Sequence, residues 1–337
     1  MAGYRVAYHI YSNVAHISHA LPYMSRLGGL VYTGSPAIAD YLQTTWPDFP
    51  VTDSLADVQA YRPDAVLYPH YTRLSKLSES VKHVQVFHGV SDEPYYYETD
   101  DATGYDLCLC SGPMQVAKFR EAGIDGHFAS VGYPKFELPL EVFELPFADS
   151  RPVLLYAPTP GRFSTIAGAA DRIIELSEHF NVVVDAHSLV AGRPGVSDQE
   201  PAIRRLLASE GPHLSLAHEA NLLPLIQVCD LLIGDGGAVL YEALPFDKPQ
   251  LVVSDQPASP LHDLLGPRYF LNHAVAVAPD ELDRAVVDRM LEHDPYRAQR
   301  ASVLVPWVFG ATYGRPASER AVAAIERLLV AGRADRC

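Results

Sequence analysis

Short runs of consecutive β-branched and aromatic residues recur along the chain: "YRVAYHI", "GLVYTG", "DAVLYPH", "HVQVFHG" and "LCLCSG", then "PVLLYAPT", "NVVVDAH", "LSLAH", "DLLIGDGG" and "PQLVVSD". Runs that are apolar at every position are strands buried on both faces, and helical stretches between them make the sheets parallel. Two helices are legible by period. Ile166, Ala169, Ala170, Ile173 and Ile174 recur at helical spacing behind Ser164 or Thr165 as a cap. "SERAVAAIERLLVAG" starts at a Ser318 cap and ends at Gly332, with Val322, Ile325 and Leu329 on one face.

The strand-and-helix rhythm occurs twice, although no repeat is visible in the residues themselves. Between the two series, prolines at 134, 139, 146 and 152 remove ladder donors and forbid a long helix, which marks a linker. The expected organisation is an N-terminal Rossmann-like acceptor domain over 1–140, a linker over 141–152, a nucleotide-donor domain over 153–315, and a C-terminal helix over 316–332 packing back toward the N-terminal domain. Two such domains would bind ligands in a cleft at the carboxyl ends of their strands.

Composition narrows this reading. The 337 residues are 48% hydrophobic and 20% charged, which is ordinary for a globular protein with sizeable cores. A formal net charge of −15 opposes nucleic acid and anionic membrane, while leaving room for a local basic pocket. No apolar run reaches the roughly 18 residues that span a bilayer, and no signal-peptide core follows Met1 to Arg5. A cytoplasmic protein is therefore expected, with at most peripheral contact at the inner face of the membrane. Cys108, Cys110, Cys229 and Cys337 show no CxxC spacing and read as free thiols, the first two on opposite faces of a strand.

Candidate chemistry follows the strands. "DLLIGDGGAVLYEAL" runs from a strand through Asp235-Gly236-Gly237 into a helix at Ala238, a turn that suits either a phosphate or simple chain reversal. Glu242 is either a ribose partner or a solvated side chain. "LLYAPTPGRFST" places Thr159 and Arg162 where a hydroxyl and a guanidinium would meet a phosphate. His88 and His187 each close a strand, as structural or functional histidines. His16 and His19 could line the site from the first helix, His70 ends a strand, and His218 could cap a turn. No HExxH, GxSxG or GxxxxGKS pattern occurs, and neither a metal nor a cofactor is expected. In "DEPYYYETDD", Asp92 and Tyr95 belong to an acceptor loop or to a solvated surface.

Taken in order, these stretches resemble the CDP-glycerol glycerophosphotransferase family of teichoic acid polymerases and primases, whose fold is GT-B. "VFHGVSD", "GYPKFE", "LLYAPTPGR", "VVVDAHS", "GDGGAVLYEAL" and "GRPASER" stand where that family has its HG, GYP-basic, YAPT-Arg, histidine, D-Y-S-S and final-helix marks. The resemblance runs from about Asp64 to Leu329. It implies a transferase moving a phospho-polyol from a CDP-activated donor to a hydroxyl-bearing glycan, polyol or lipid-linked acceptor in cell-envelope polymer synthesis. It makes His88 the general base and His187 a donor to the pyrophosphate. Thr159, Arg162, Asp235, the amides from Gly236 through Gly237 to Ala238, Glu242 and Ser318 would serve the donor; His16, His19, Asp92 and Tyr95 would serve the acceptor.

Three departures stand out. Gly237 and Ala238 replace the paired serines, Asp185 stands where a basic residue is common, and the run after HG is acidic, which suits an acceptor other than a polyanion. The DGGA turn, Glu242 and "DKP" also resemble UDP-N-acetylglucosamine 2-epimerases and GT-B glycosyltransferases that use nucleotide sugars. A non-catalytic nucleotide-binding homologue is the remaining alternative.

Overall fold

The computed structural model describes residues 3–11, 14–90, 100–159, 164–185, 199–217, 219, 221–254, 274–310 and 316–334. The chain divides into two compact units, one formed by Met1–Val90, Pro94–Pro139 and Pro306–Cys337, the other mainly by Leu140–Val305.

The first unit is built on a seven-stranded parallel sheet in the order β3-β2-β1-β4-β5-β6-β7. Its strands are β1 Val6–His9, β2 Leu30–Tyr32, β3 Val51–Thr52, β4 Ala65–Tyr68, β5 Lys82–Gln85, β6 Leu107–Cys110 and β7 Phe128–Ser130. Four helices lie between them: α1 Ala15–Leu27, α2 Pro36–Thr45, α3 Leu55–Tyr61 and α4 Pro113–Glu121. Alternation along β1 shows how both faces are used. Val6 and Tyr8 join a core with Ile17 of α1 and with Ala321, Ile325 and Leu329 of the C-terminal helix Ala317–Ala334. Ala7 joins the opposite core with Val58, Tyr68 and Phe119. Cys108 and Cys110 both belong to that second core, which corrects the expectation of opposite faces, since residues two apart on a strand share a face. These two thiols and Cys229 are free and buried; Cys337 lies outside the described residues.

The second unit carries a six-stranded parallel sheet in the order β10-β9-β8-β11-β12-β13. Its strands are β8 Val153–Ala157, β9 Asn181–Asp185, β10 Leu214–Ala217, β11 Leu231–Gly234, β12 Gln250–Val253 and β13 Val275–Val277. Helix α5, Ile166–Leu176, lays Ile166, Ala169, Ala170, Ile173 and Leu176 on the sheet. Each of the larger of these contributes about 1.5–3 kcal/mol by leaving water. Helices α6 Glu200–Ala208, α7 Leu223–Val228 and α8 Ala238–Glu242 follow, the last separated from β11 by a three-residue turn.

The proline-rich segment has two characters. Val131 to Lys135 is buried in the first unit, where Gly132 (φ +93°) brings the backbone against Arg320 of the C-terminal helix. Residues 140–152 form no regular element. Among the described residues no helix is long and apolar enough to cross a membrane.

Candidate functional site

In the first unit, β4 and β5 pair in parallel, and their ladder ends with the bond from Val86 N–H to the Tyr68 carbonyl. Phe87 then takes φ +57°, a left-handed conformation that costs a bulky residue free energy, and the chain turns to present His88. The His88 Nδ1–H donates to the Pro69 carbonyl at 2.5 Å. A carbonyl can only accept, so the neutral ring carries its proton on Nδ1 and its lone pair on Nε2.

The ring of His16, from α1, lies 4.3 Å from that of His88, and His70 lies 5.7 Å from His16. His19 approaches the Tyr133 hydroxyl at 3.5 Å. Burial lowers the His88 pKa, partly offset by the Pro69 bond. His19 is held well below the ordinary value by burial, then by Lys135, His88 and His16. His70 is lowered to about 3, by burial and then by His9 and His88. His19, His70 and His88 are therefore neutral at physiological pH, the state in which imidazole accepts a proton.

Beside it lies a small recess whose described lining includes His19, Gly89, Ser111, Gln115, Tyr133 and Lys135. The Gln115 Oε1 accepts from Ser111 N–H at 2.9 Å, which fixes the amide's orientation and leaves Nε2, buried, without a partner among the described residues.

In the second unit, Asp235 organises the turn after β11. Its Oδ1 accepts from Thr159 N–H at 2.7 Å, and its Oδ2 from Thr165 N–H at 3.0 Å and the Thr165 hydroxyl at 3.3 Å. Burial raises the Asp235 pKa, opposed by these bonds. The carboxylate thereby ties the end of β8 and the start of α5 to the Asp235-Gly236-Gly237 turn. Gly236 has φ +111°, and no described atom stands within 4 Å of where a Cβ would lie. Gly237 is needed for room: a Cβ there would stand 2.5 Å from the Thr159 Oγ1, which is itself buried. Ala238 opens α8, and Glu242 is buried rather than solvated.

The structure therefore gathers His16, His19 and His88 in the first unit, and Thr159, Asp235, Gly236, Gly237 and Ala238 in the second. His187, Arg162, Asp92, Tyr95 and His218 lie outside the described residues. Ser318 sits in the first unit, where its N–H donates to Glu137 Oε1 at 2.9 Å and its hydroxyl meets Glu137 and Arg26. The sequence reading passed over Gln85 and Gln115 and took Thr165 only as a helix cap; the signal for Gln85 was a polar residue inside an apolar strand run. Among the described residues, no group of three or more His, Cys, Asp or Glu side chains could hold a metal.

Two Rossmann-like units with parallel sheets define the GT-B class, and comparison with solved structures agrees. The wall teichoic acid polymerase TagF superposes with a TM-score of 0.63 at 13% identity, covering 96% of this chain and 88% of the other. A candidate UDP-N-acetylglucosamine 2-epimerase from Listeria monocytogenes gives 0.62 at 14%, covering 97% and 96%. The glycosyltransferase SnogD from Streptomyces nogalater gives 0.53 at 15%, covering 97% and 100%. No protein-family model matches the sequence, and no curated protein does. The resemblance read from the motifs thus has structural support at the level of fold.

Proposed function

We propose that the chain is a GT-B transferase that moves a phospho-polyol group of the glycerol phosphate type from a CDP-activated donor to an acceptor hydroxyl. The observation that carries this reading is His88: a buried, neutral imidazole whose tautomer is fixed by Pro69, with the basic nitrogen at Nε2. In the proposed step, Nε2 takes the acceptor proton while the acceptor oxygen bonds the donor's β-phosphorus. The bond from that phosphorus to the bridging oxygen breaks, CMP leaves, and the proton passes from His88 to solvent. Thr159, Arg162, His187 and the amides from Gly236 to Ala238 would hold the donor phosphates and balance charge on the departing nucleotide. No metal is invoked.

A second reading, transfer from a UDP-sugar or related nucleotide sugar, is favoured by one feature: the Asp235-Gly236-Gly237 turn has no hydroxyl, and Thr159 fills the space a serine would need at 237.

Thermal-shift measurements with CMP, CDP, CDP-glycerol, UDP, UDP-N-acetylglucosamine and GDP separate the two, because a ligand that binds the folded state raises its melting temperature. Selective stabilisation by cytidine ligands is expected. Selective stabilisation by uridine ligands would move the assignment to the second reading. With a donor in hand, His88→Ala should lower turnover on the order of 100-fold or more without unfolding the chain; wild-type turnover would remove the base assignment.

A further inference from the structure

Gln85 is the last residue of β5 and is fully buried, an unusual place for an amide side chain. Its Oε1 accepts from the Phe87 N–H at 2.8 Å, and its Nε2 donates to the His70 carbonyl at 3.0 Å. These bonds begin where the β4–β5 backbone ladder stops, at the Val86 to Tyr68 bond. Past that point Phe87 leaves the extended conformation, so its N–H can no longer reach the neighbouring strand. The Gln85 amide takes over, joining the segment after β4 to the segment after β5 by one rung made of side-chain atoms. The following rung is the bond from His88 Nδ1–H to Pro69, the residue adjoining His70.

We infer that Gln85 is a positioning residue for His88: by clamping Phe87 in its left-handed turn and holding the His70 carbonyl, it registers the His88 ring on Pro69 and so fixes the basic nitrogen at Nε2. The consequence for turnover rests on the reading of His88 as the general base, whereas the effect on the imidazole does not.

The test uses the full chain labelled with ¹⁵N, and long-range ¹H–¹⁵N spectra of the imidazoles at neutral pH, with His88 assigned by the loss of its signals in His88→Gln. In the wild type the His88 ring should be in the Nδ1–H form. In Gln85→Met, which keeps the length of the side chain and removes both bonds, the Nε2–H form should become the major neutral species. Gln85→Glu, which can accept from Phe87 and, when protonated in its buried setting, donate to the His70 carbonyl, should restore the Nδ1–H form. It also serves if the methionine variant does not fold, because full retention of the Nδ1–H form with the Phe87 bond kept remains the expected result.

Tyr105→Phe removes the other donor to the His70 carbonyl, at 3.4 Å, and should leave His88 unchanged. An unaltered tautomer in folded Gln85→Met, or an equal change in Tyr105→Phe, overturns the inference. A tautomer switch in Gln85→Met with wild-type turnover would leave Gln85 as the positioning residue and remove His88 as the base. If both assignments hold, turnover falls on the order of 10- to 100-fold with little change in KM, the scale expected for a misplaced catalytic group.

Discussion

At the scale of single residues, the contact between Gly237 and Thr159 explains the most informative departure from the resembling family. Gly237 has φ −70°, a conformation open to any residue, so only space demands glycine there. The atom filling that space is the Thr159 Oγ1. Gly237→Ser should therefore destabilise the chain by about 1–3 kcal/mol, the usual range for overpacking. Thr159→Ala removes the obstructing atom at the cost of the hydroxyl's interaction with Asp235, which should amount to about 0.5–1.5 kcal/mol. In the double variant the two changes should compensate, with a coupling of about 1 kcal/mol or more between touching residues. Urea midpoints followed by far-UV circular dichroism measure all four corners of the cycle. Strict additivity would show that the turn yields to the serine and that the glycine has another reason.

Among the elements, the C-terminal helix shows how a cap can come from elsewhere in the chain. The carboxylate of Glu137 satisfies the N–H of Ser318 at the helix start and binds its hydroxyl, while Arg26 joins both side chains and reaches Glu319 at 3.3 Å. A carboxylate there also meets the positive end of the helix dipole. Ser318 lies one residue inside the helix rather than at its cap, so Ser318→Ala leaves the Glu137 bond to the backbone intact and removes only the hydroxyl's bond to the carboxylate, which should cost about 1–2 kcal/mol. The increment in melting temperature given by a nucleotide distinguishes the two roles: an unchanged increment is expected of a residue that only braces the helix start, and its loss would support the donor-site role that the resemblance implies for Ser318. The sequence shows this helix within a residue or two at each end, since its apolar period is long and regular; it is silent on Glu137, because a cap 181 positions away in the chain leaves no local trace. The same contrast holds for the sheets. The ten long apolar runs are strands, whereas β3, β7 and β13, each at a sheet edge, went unread. Two or three residues, half exposed, carry too little hydrophobic pattern to announce a strand. The histidines behaved alike: their positions at strand ends were visible, but the tautomer of His88 depends on a carbonyl brought from another strand.

For the molecule as a whole, the distribution of buried histidines among the described residues predicts that acid acts on the two units unequally. His9, His19, His70, His83 and His88 all belong to the first unit and all have lowered pKa values, His83 to about 4 and His70 to about 3, with burial the leading cause in each. A histidine whose pKa is lower folded than unfolded leaves the unfolded chain holding more protons between the two values. Stability then falls as pH drops below the ordinary 6.5 and keeps falling until the folded value is reached, by up to about 1.4 kcal/mol per pH unit for each fully shifted ring. Asp106 has the opposite phase: its lowered pKa adds stability above the ordinary 3.8 that is lost only in stronger acid, so between pH 6.5 and 4 the histidines decide. Allowing for mutual coupling and partial exposure, the first unit should lose ~3 kcal/mol between pH 7.5 and 5.5. Both tryptophans, Trp46 and Trp307, lie in that unit, so tryptophan fluorescence reports on it alone while circular dichroism sees both. Urea unfolding at the two pH values should show the fluorescence midpoint moving down well ahead of the dichroism transition of the second unit. Midpoints that fall together would mean that the units unfold as one cooperative body, and a fluorescence midpoint indifferent to pH would mean that the histidine cluster is already solvated in the folded protein.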